Sequence, residues 1–343
     1  MKAITKTNYV KNIFFAAVLF TGASLVAQEE VEEKKAISIS GSADAYFRTN
    51  LSATDEADAD GAFINPGSSF AEETGFALGM ANIIASYDMG KTGVVADLVF
   101  GPRGEAATFN QNVINQLYAY WNVSEGTTIT AGRFNTFLGY EVISPVANMN
   151  YSTSYLFSNG PFSHVGVKAD FALSEDFSLM LAVTNVADIN NNFTGVYALG
   201  AQLGYSGQFL NFYYDGGEFL GLEVDYTGGF DLSEDFFLGI NAAYADSDGA
   251  GFAGAALYPQ LATSDSFKLG LRGEYFSVFD GVDGTDDPSV FAATLTGSYS
   301  IENLTIKPEV RLDSWSDNEP YFDTDGAASK SLSSFLIAAI YSF

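Results

Sequence analysis

The sequence predicts an all-β fold, a single antiparallel transmembrane β-barrel of about 16 strands. Three observations predict it. Apolar and polar residues alternate along many short segments, short turns alternate with longer connections, and the chain ends in an apolar, aromatic strand face. Alternation with a period of two indicates a strand whose two faces meet different surroundings. In a transmembrane barrel, the outer face meets lipid and the inner face meets water or protein.

The N-terminal residues resemble an export signal. Three lysines precede an apolar stretch at 13–26, and a small residue follows it. A basic head, a short apolar core and a small residue before the cut are typical of a secretory signal peptide. We therefore expect a signal peptide at 1–27 and a barrel at 28–343, exported to the bacterial outer membrane.

The C-terminal segment indicates how the barrel closes. Alternate residues from Phe335 to Phe343 lie on one apolar face, and the chain ends on that face. A terminal aromatic strand frays unless other atoms bury it, whereas the last strand of a barrel pairs with the first. We expect this strand to pair with 36–49. We also expect the barrel-assembly machinery to recognise the strand that ends at Phe343.

Composition excludes several function classes. The chain has 42 Asp and Glu against 15 Lys and Arg, with a formal net charge of −27, so it lacks the basic face that nucleic-acid binding requires. Hydrophobic residues make up 47% and aromatic residues 15%, which suits a lipid-facing barrel with aromatic girdles. There is no cysteine, hence no disulfide or thiolate metal site. No cofactor is predicted.

Turn signals divide the chain into strands. Seven short turns and eight mostly longer connections join an even number of strands and place both termini in the periplasm. The longest connection, 136–162, is the third external loop. The predicted strands are 36–49, 74–88, 93–100, 113–123, 127–135, 163–173, 177–187, 195–205, 208–214, 218–230, 236–246, 252–262, 267–279, 289–301, 304–315 and 331–343.

Charged residues share the polar face of these strands. A charge on the lipid face costs about 2–4 kcal/mol at the midplane for Arg or Lys, so the charges are expected to point inwards. A soluble β-sandwich would place them outwards, and the termini and loop pattern favour the barrel. The predicted inward set is Asp44, Arg48, Lys168, Asp170, Glu223, Asp225, Lys268, Arg272, Glu274, Lys307, Glu309, Arg311 and Asp313.

An interior lined by both signs of charge is wet. In a barrel of about 16 strands the interior is too wide for wall side chains to fill, so the sequence predicts an aqueous channel. A salt-bridge lattice that only braces the wall is the alternative. Loop 136–162 carries little charge, so it is expected to fold into the lumen as a constriction with Arg133 and Glu141, or else to form an external flap.

Part of the chain resembles a known family. The motifs Gly-Arg-Phe, Gly-Tyr-Glu, Asn-Tyr-Ser-Thr-Ser and Gly-Pro-Phe-Ser-His-Val-Gly-Val-Lys lie at 132–134, 139–141, 150–154 and 160–168. Together they resemble the signature of the OmpL-like β-barrel porins. The family pattern has a basic residue where this chain has Thr153. The resemblance implies passive diffusion of small hydrophilic solutes and names no substrate.

His164 is the only histidine and the starting point of an alternative function. As a catalytic base it requires a nucleophile and an orienting acid, and the adjacent Ser163 points to the opposite face of a strand. A barrel hydrolase would need another serine across the lumen. The remaining alternatives are a structural hydrogen bond for His164 and a non-conducting structural or adhesion barrel.

Acidic loops are expected to set the ion preference. Segments 50–73 and 280–288 contain carboxylates and no Lys or Arg, whereas the inward charges nearly balance. A negative mouth concentrates cations, so a weak cation preference is predicted. These acids could also bind Ca²⁺ weakly, although neither segment matches a calcium-loop pattern, and solvated loop tips are the simpler interpretation. The predicted partners are outer-membrane lipids and small hydrophilic solutes. Association into a homo-oligomer is left as an alternative to a monomer.

Overall fold

The computed structural model describes residues 36–56, 63–281 and 287–343. The signal peptide predicted at 1–27 lies outside these residues. Sixteen antiparallel strands form a closed barrel: β1 (Ser38–Asn50), β2 (Gly75–Asp88), β3 (Thr92–Phe100), β4 (Ile114–Ser124), β5 (Thr127–Asn135), β6 (Ser163–Ala172), β7 (Phe177–Thr184), β8 (Ala198–Tyr205), β9 (Gln208–Tyr214), β10 (Leu222–Asp231), β11 (Phe236–Ser247), β12 (Ala250–Ser264), β13 (Phe267–Asp280), β14 (Ser289–Ile301), β15 (Leu304–Trp315) and β18 (Ser331–Ser342).

Four small elements lie in the connections of the barrel. Two short helices, α1 (Pro102–Ala107) and α2 (Tyr155–Asn159), follow β3 and β5, and β16 (Tyr321–Phe322) pairs with β17 (Ala328–Ser329) in a small hairpin. The part of the chain that the structure describes contains no helix with the length and apolar character needed to cross a bilayer. The predicted all-β barrel is therefore confirmed, with short helical turns added in two loops.

The barrel has two unlike ends. Connections of two to four residues lie at one end, which we call the short-turn end, and both ends of the described barrel, Ser38 and Ser342, lie there too. The other end, the long-loop end, carries 51–74, 101–113, 136–162, 185–197, 215–221, 281–288 and 316–330. One connection at this end is short, because Asp248 and Gly249 both have positive φ and form a tight hairpin turn.

Identical turn chemistry recurs at the short-turn end. In each of two Ser-Glu-Asp-Phe turns, the serine Oγ accepts the backbone N–H of the aspartate and of the phenylalanine, at 3.0 to 3.3 Å. These serines are Ser174 and Ser233. A side-chain oxygen that satisfies two turn donors fixes the reversal of the chain without a ladder partner. The short turns that the sequence predicts are confirmed.

One predicted strand starts later than its pattern indicates. The segment 218–230 alternates throughout, yet β10 begins at Leu222. Before it, the carboxylate of Asp215 accepts the backbone N–H of Leu220 and Gly221 at 3.0 and 2.9 Å, which holds 215–221 as a loop. Leu220, expected on the lipid face, is buried in the interior core instead. The alternation in the sequence continues beyond the strand, but the carboxylate of Asp215 binds N–H groups that would otherwise bond to a neighbouring strand.

The last strand closes the barrel on the first. β18 pairs with β1 from Asn50↔Ser334 to Ser42↔Ser342. Beyond the strand, Phe343 exchanges both backbone hydrogen bonds with Gly41, each at 3.0 Å, and its ring lies over that glycine. The predicted pairing of the C-terminus with the first strand is confirmed. The terminal residue adds two ladder bonds and an aromatic cover at the seam.

We predict that deletion of Phe343 impairs barrel assembly, because it removes both seam bonds and the ring over Gly41. The measurement is the heat-dependent shift in electrophoretic mobility that separates a folded barrel from its unfolded chain, together with the level at the cell surface. Ser342→Ala, which keeps the chain length and the aromatic end, is the matched control. Normal mobility and surface level in the deletion variant would contradict this role.

Candidate functional site

Loop 136–162 lies against the inner wall of the barrel. It leaves β5, crosses the interior and returns to β6, and most of its residues are buried. Ser154 caps its helical turn α2, with Oγ accepting the N–H of Phe157 at 3.0 Å. The Nζ of Lys307 donates to the carbonyl of Pro145 at 2.8 Å, and Lys307 is only the fourth residue of β15 from the short-turn end. The loop therefore reaches deep into the barrel.

Acidic wall side chains accept backbone N–H groups of the loop. Glu309 accepts from Tyr151 at 2.8 Å, Glu274 accepts from Tyr155 and Leu156 at 3.0 and 2.8 Å, and Asp225 accepts from Gly139 at 3.0 Å. The Oγ of Ser152 also donates to Glu309. Hydrogen bonds between a backbone N–H and an ionised carboxylate are about twice as strong as neutral ones. The loop backbone, which has no ladder partner, is satisfied by wall carboxylates.

Basic wall side chains bind the carbonyls of the same loop. Arg272 donates at 2.7 Å both to the carbonyl of Ser152 and to the carboxylate of Glu141, in an ion pair that is almost fully buried. Arg311 donates to the carbonyl of Thr153 at 2.9 Å and pairs with Asp313 at 2.8 Å. The wall thus supplies acceptors and donors in register with the loop backbone. Removing one partner of such a buried pair costs about 3–5 kcal/mol.

Inward-facing glycines of the wall make room for loop side chains. At five wall positions a Cβ atom would overlap or press on a side chain of the loop, so a larger residue there would displace it. The pairs are Gly79 with Tyr151, Gly200 with Phe137, Gly239 with Tyr140, Gly254 with Leu156 and Gly270 with Met149. The sequence contained this signal, since glycine at an inward position of a strand often marks a close approach by other atoms.

Aromatic side chains of the loop complete its packing. The ring of Tyr140 stacks on Tyr258 with centroids 4.3 Å apart, and the ring of Tyr155 stacks on Phe276 at 5.8 Å. The hydroxyl of Tyr155 donates to the carboxylate of Asp313. Burial raises the pKa of the Tyr151 and Tyr155 phenols above the ordinary value, which keeps them protonated as donors. The loop is held by a packed core as well as by hydrogen bonds.

Two other loops cover loop 136–162 from the long-loop end. Arg103 in α1 donates to the carbonyls of Ile143 and Tyr151 at 2.7 and 3.0 Å, and its guanidinium lies 4.5 Å from the ring centre of Phe70. In the first loop, the carbonyl of Ser68 accepts the hydroxyl of Thr153. Sequence reasoning missed Arg103, because its loop position gave no sign that it would turn inwards.

The predicted inward charges lie on two levels. Those nearer the long-loop end are buried against the loops, including Arg48, which donates to Asn50 at 2.8 Å, and Asp44, which accepts from the N–H of Met80 at 3.1 Å. Lys307 lies nearer the short-turn end but is also buried, because loop 136–162 reaches down to it. Nearer the short-turn end, Lys168 pairs with Asp170 at 2.8 Å, and their side chains are 26% and 41% exposed. Lys268 is also exposed. Only this second level leaves charges free to meet a solute.

Arg133 is almost fully buried, and its contacts are with segments other than loop 136–162. Its guanidinium donates to the side chain of Asn190 and to the carbonyl of Asn115. Glu141 lies in the interior and pairs with Arg272.

His164 is almost fully buried, and its neighbours are aromatic side chains rather than a nucleophile and an acid. Its Nε2 lies 3.0 Å from Thr136 Oγ1, and its ring stacks on Phe137 with centroids 4.9 Å apart. Within the described residues its Nδ1 has no hydrogen-bond partner, so no acid orients the ring. The neighbouring Ser163 instead donates to Asp188, whose pKa burial raises to about 6. These contacts position the base of loop 136–162.

Only some of the acidic side chains in segments 50–73 and 280–288 belong to the described residues. Asp55 accepts the N–H of Asn50 at 2.7 Å, while Asp58, Asp60, Asp283 and Asp286 lie outside the described residues. Across 36–56, 63–281 and 287–343, no group of three or more His, Asp or Glu side chains is arranged to hold a metal ion.

A family model decides the relationship of this chain to known proteins. The model described as "Putative beta-barrel porin-2, OmpL-like" matches residues 36–343. The chain belongs to this family. The match covers the whole described barrel, and together with the closed fold it places this family member in an outer membrane. No curated protein matches the chain by sequence.

Solved structures of an outer membrane channel, an outer membrane protein and a porin share the fold. The outer membrane channel DcaP of Acinetobacter baumannii is 14% identical, with a TM-score of 0.58 over 93% of this chain and 100% of that one. In-vitro folded OmpT of Vibrio cholerae is 12% identical, with a TM-score of 0.52 over 90% and 97%. A mutant porin of Rh. blastica is 13% identical, with a TM-score of 0.51 over 90% and 100%.

We predict that Gly239→Ala destabilises the porin-family barrel, because the added methyl group would overlap the ring of Tyr140, which Tyr258 holds in place. Overpacking of this kind costs about 1–3 kcal/mol. The measurement is the free energy of unfolding in urea. Gly273→Ala in β13 is the control, because no atom lies within 4 Å of its Cβ position. Equal stability of both variants would show that Tyr140 yields freely.

Proposed function

We propose that the protein is a passive diffusion channel for small hydrophilic solutes, narrowed by loop 136–162, and not an enzyme. The observation that carries the proposal is the seat of this loop: backbone groups from Gly139 to Leu156 bond to inward charges on β10, β13 and β15. Such a loop reduces the free cross-section of a wide barrel at a fixed depth. Membership of a porin family supports the same activity.

The orientation follows from the loop lengths. Outer-membrane barrels have short periplasmic turns and longer external loops, so we infer that the short-turn end faces the periplasm. Solutes from outside would meet the long loops first, then the narrowed zone, and then the level of Lys168, Asp170 and Lys268. The lipid-facing strands and the strand that ends at Phe343 would meet the outer-membrane lipids and the barrel-assembly machinery.

A homo-oligomer remains part of the proposal. One structure of Vibrio cholerae OmpT that shares the fold, at a TM-score of 0.50 and 10% identity, is described as a trimer form. Association of three barrels would give conductance steps in groups of three. Chemical cross-linking of the purified protein tests this directly.

We predict that a thiol reagent will reduce single-channel conductance in the variant Val146→Cys. Val146 is 47% exposed and lies next to Pro145, whose carbonyl binds Lys307 deep in the barrel. The chain has no cysteine, so the reagent reaches one introduced thiol only. A positively charged methanethiosulfonate reagent adds bulk in the narrowed zone, and the measurement is the current across a planar bilayer before and after its addition.

The control for this variant is Val310→Cys, which lies on the outer face of β15 and is 46% exposed there. Modification at that position should leave the current unchanged. A current that responds equally at both positions, or at neither, would refute the placement of loop 136–162 in the conducting path. Absence of any conductance in the unmodified protein would favour the non-conducting structural barrel.

We predict a weak preference for cations that fades as salt concentration rises. The buried bases Arg272 and Arg311 are paired with carboxylates, and Lys307 donates to loop carbonyls, so none of them is free to attract anions in the path. The acidic segments 50–73 and 280–288 carry no Lys or Arg, and salt screens their field over about 10 Å at 0.1 M. The reversal potential across a KCl gradient, at low and high ionic strength, measures the preference. An anion preference at low salt would overturn it.

A further inference from the structure

A small cavity lies between loop 136–162 and the wall of β10. Its lining includes Gly139, Phe157 and Gly160 from the loop and Glu223 and Asp225 from the strand. Its volume of about 10 Å³ has room for roughly one water-sized species. Neither Lys168 nor Asp170, which we assign to solute passage, lines this cavity. It is therefore a separate feature of the loop seat.

Glu223 is the one buried wall acid in this seat that the loop leaves unsatisfied. Its side chain is 2% exposed, and its Oε2 atom has no hydrogen-bond partner among the described residues. Asp225, two residues away on the same face, accepts three N–H groups, from Gly139, Asn211 and Asn241. Two carboxylates thus share one buried space, and only one of them has donors.

No base compensates this pair. In the part of the chain that the structure describes, the three ion pairs involve Asp170, Glu141 and Asp313, and none reaches Glu223 or Asp225. A buried carboxylate without a partner is costly, and it is stabilised by a bound cation or by protonation. The oxygen atoms around the cavity favour a bound cation over protonation.

Further oxygens lie close to the same space, and one of them, the carbonyl of Leu156, already accepts the N–H of Gly160 at 3.1 Å and has a second lone pair. The carbonyl oxygens of Leu156 and Phe157 and the Oε1 of Glu223 lie 3.4, 4.0 and 3.9 Å from the point where a side chain at Gly160 would begin. These carbonyls belong to the short helix α2 close to its C-terminal end. Carboxylate and carbonyl oxygens together are the ligands that hard cations prefer.

We propose that this cavity binds a calcium ion, which joins Glu223 of the wall to the α2 segment of loop 136–162. Two carboxylates match a divalent charge. The irregular mixture of carboxylate and carbonyl oxygens suits Ca²⁺, whereas Mg²⁺ keeps several waters in an octahedral shell for which the cavity has no room. The ion would complete the row of wall-to-loop contacts at β10, where the wall has acids and no base. The site does not depend on whether the barrel conducts.

The test is calcium binding by the full-length barrel in detergent. The protein is stripped with a chelator and titrated with CaCl₂ by calorimetry in about 0.15 M KCl, which screens diffuse binding to the acidic surface. We expect one saturable site and a rise in the temperature of heat modification when Ca²⁺ is present. Two variants probe the site: Glu223→Gln removes its charge, and Gly160→Ala narrows its cavity.

Gly160→Ala keeps both carboxylates and should fold normally. Its φ of −81° and ψ of 171° are open to alanine, and the added methyl group would meet no atom closer than 3.4 Å. Both variants are expected to weaken Ca²⁺ binding by about tenfold or more and to remove the thermal shift. Glu234→Gln, which removes a charge from an exposed turn, should bind like the unmodified protein.

Three results would overturn the proposal. They are the absence of a saturable site in the unmodified protein, unchanged binding in both site variants, and equal weakening in the Glu234→Gln control. If the unmodified protein binds no Ca²⁺ while Glu223→Gln raises its stability, the carboxyl group of Glu223 holds a proton instead. Normal heat-dependent mobility of each variant shows that the binding results refer to folded barrels.

Discussion

The buried charges of the barrel wall and the backbone of loop 136–162 depend on each other. The loop enters the interior without a strand partner, and an unpaired buried N–H or C=O group costs about as much as a lost hydrogen bond. Glu309 and Glu274 accept its N–H groups, and Arg272 and Arg311 bind its carbonyls. The wall, in turn, could not bury these charges without the loop. Each side supplies what the other lacks.

This mutual dependence divides the barrel into two zones. Towards the long-loop end, charged wall side chains bond to the loops, and the interior contains packed clusters around Tyr155 and Phe157. Towards the short-turn end, Lys168 and Asp170 remain partly exposed on the inner wall. Most bases of this zone therefore bond to the loop or to a carboxylate, while the partly exposed charges lie beyond it. A solute would be selected first by size, and only then by charge.

The barrel could be predicted from the sequence because its signals are local. Alternation, turn residues and the aromatic end each report on neighbours along the chain, and they fixed most strands to within a few residues. Leu220 shows the limit, since its alternation belongs to a loop that the carboxylate of Asp215 organises. Arg133 shows another, because its partner Asn190 lies in a loop far along the chain.

The seat of the loop could be predicted only in part. Length and low charge indicated that 136–162 would need a surface to pack on, and Glu141 of this loop pairs with Arg272 in the interior. Which wall residues meet it is set by strands far apart in the sequence, such as the pairing of Glu309 with Tyr151. Arg103 was missed for the same reason. The inward glycines were a readable signal, because a strand that faces open water gains nothing from losing a side chain at Gly239 or Gly270.

The distribution of charge around the wall explains why one part of the seat differs. The buried bases Arg48, Arg272, Lys307 and Arg311 lie on β1, β13 and β15, which belong to one arc of the closed sheet, with β18 and β14 between them. The acids continue further round, to β10, where the wall has no base to balance them. Asp225 compensates with three N–H donors, and Glu223 has none for its Oε2. An uneven wall of this kind holds a loop by hydrogen bonds on one side and requires a counter-charge on the other.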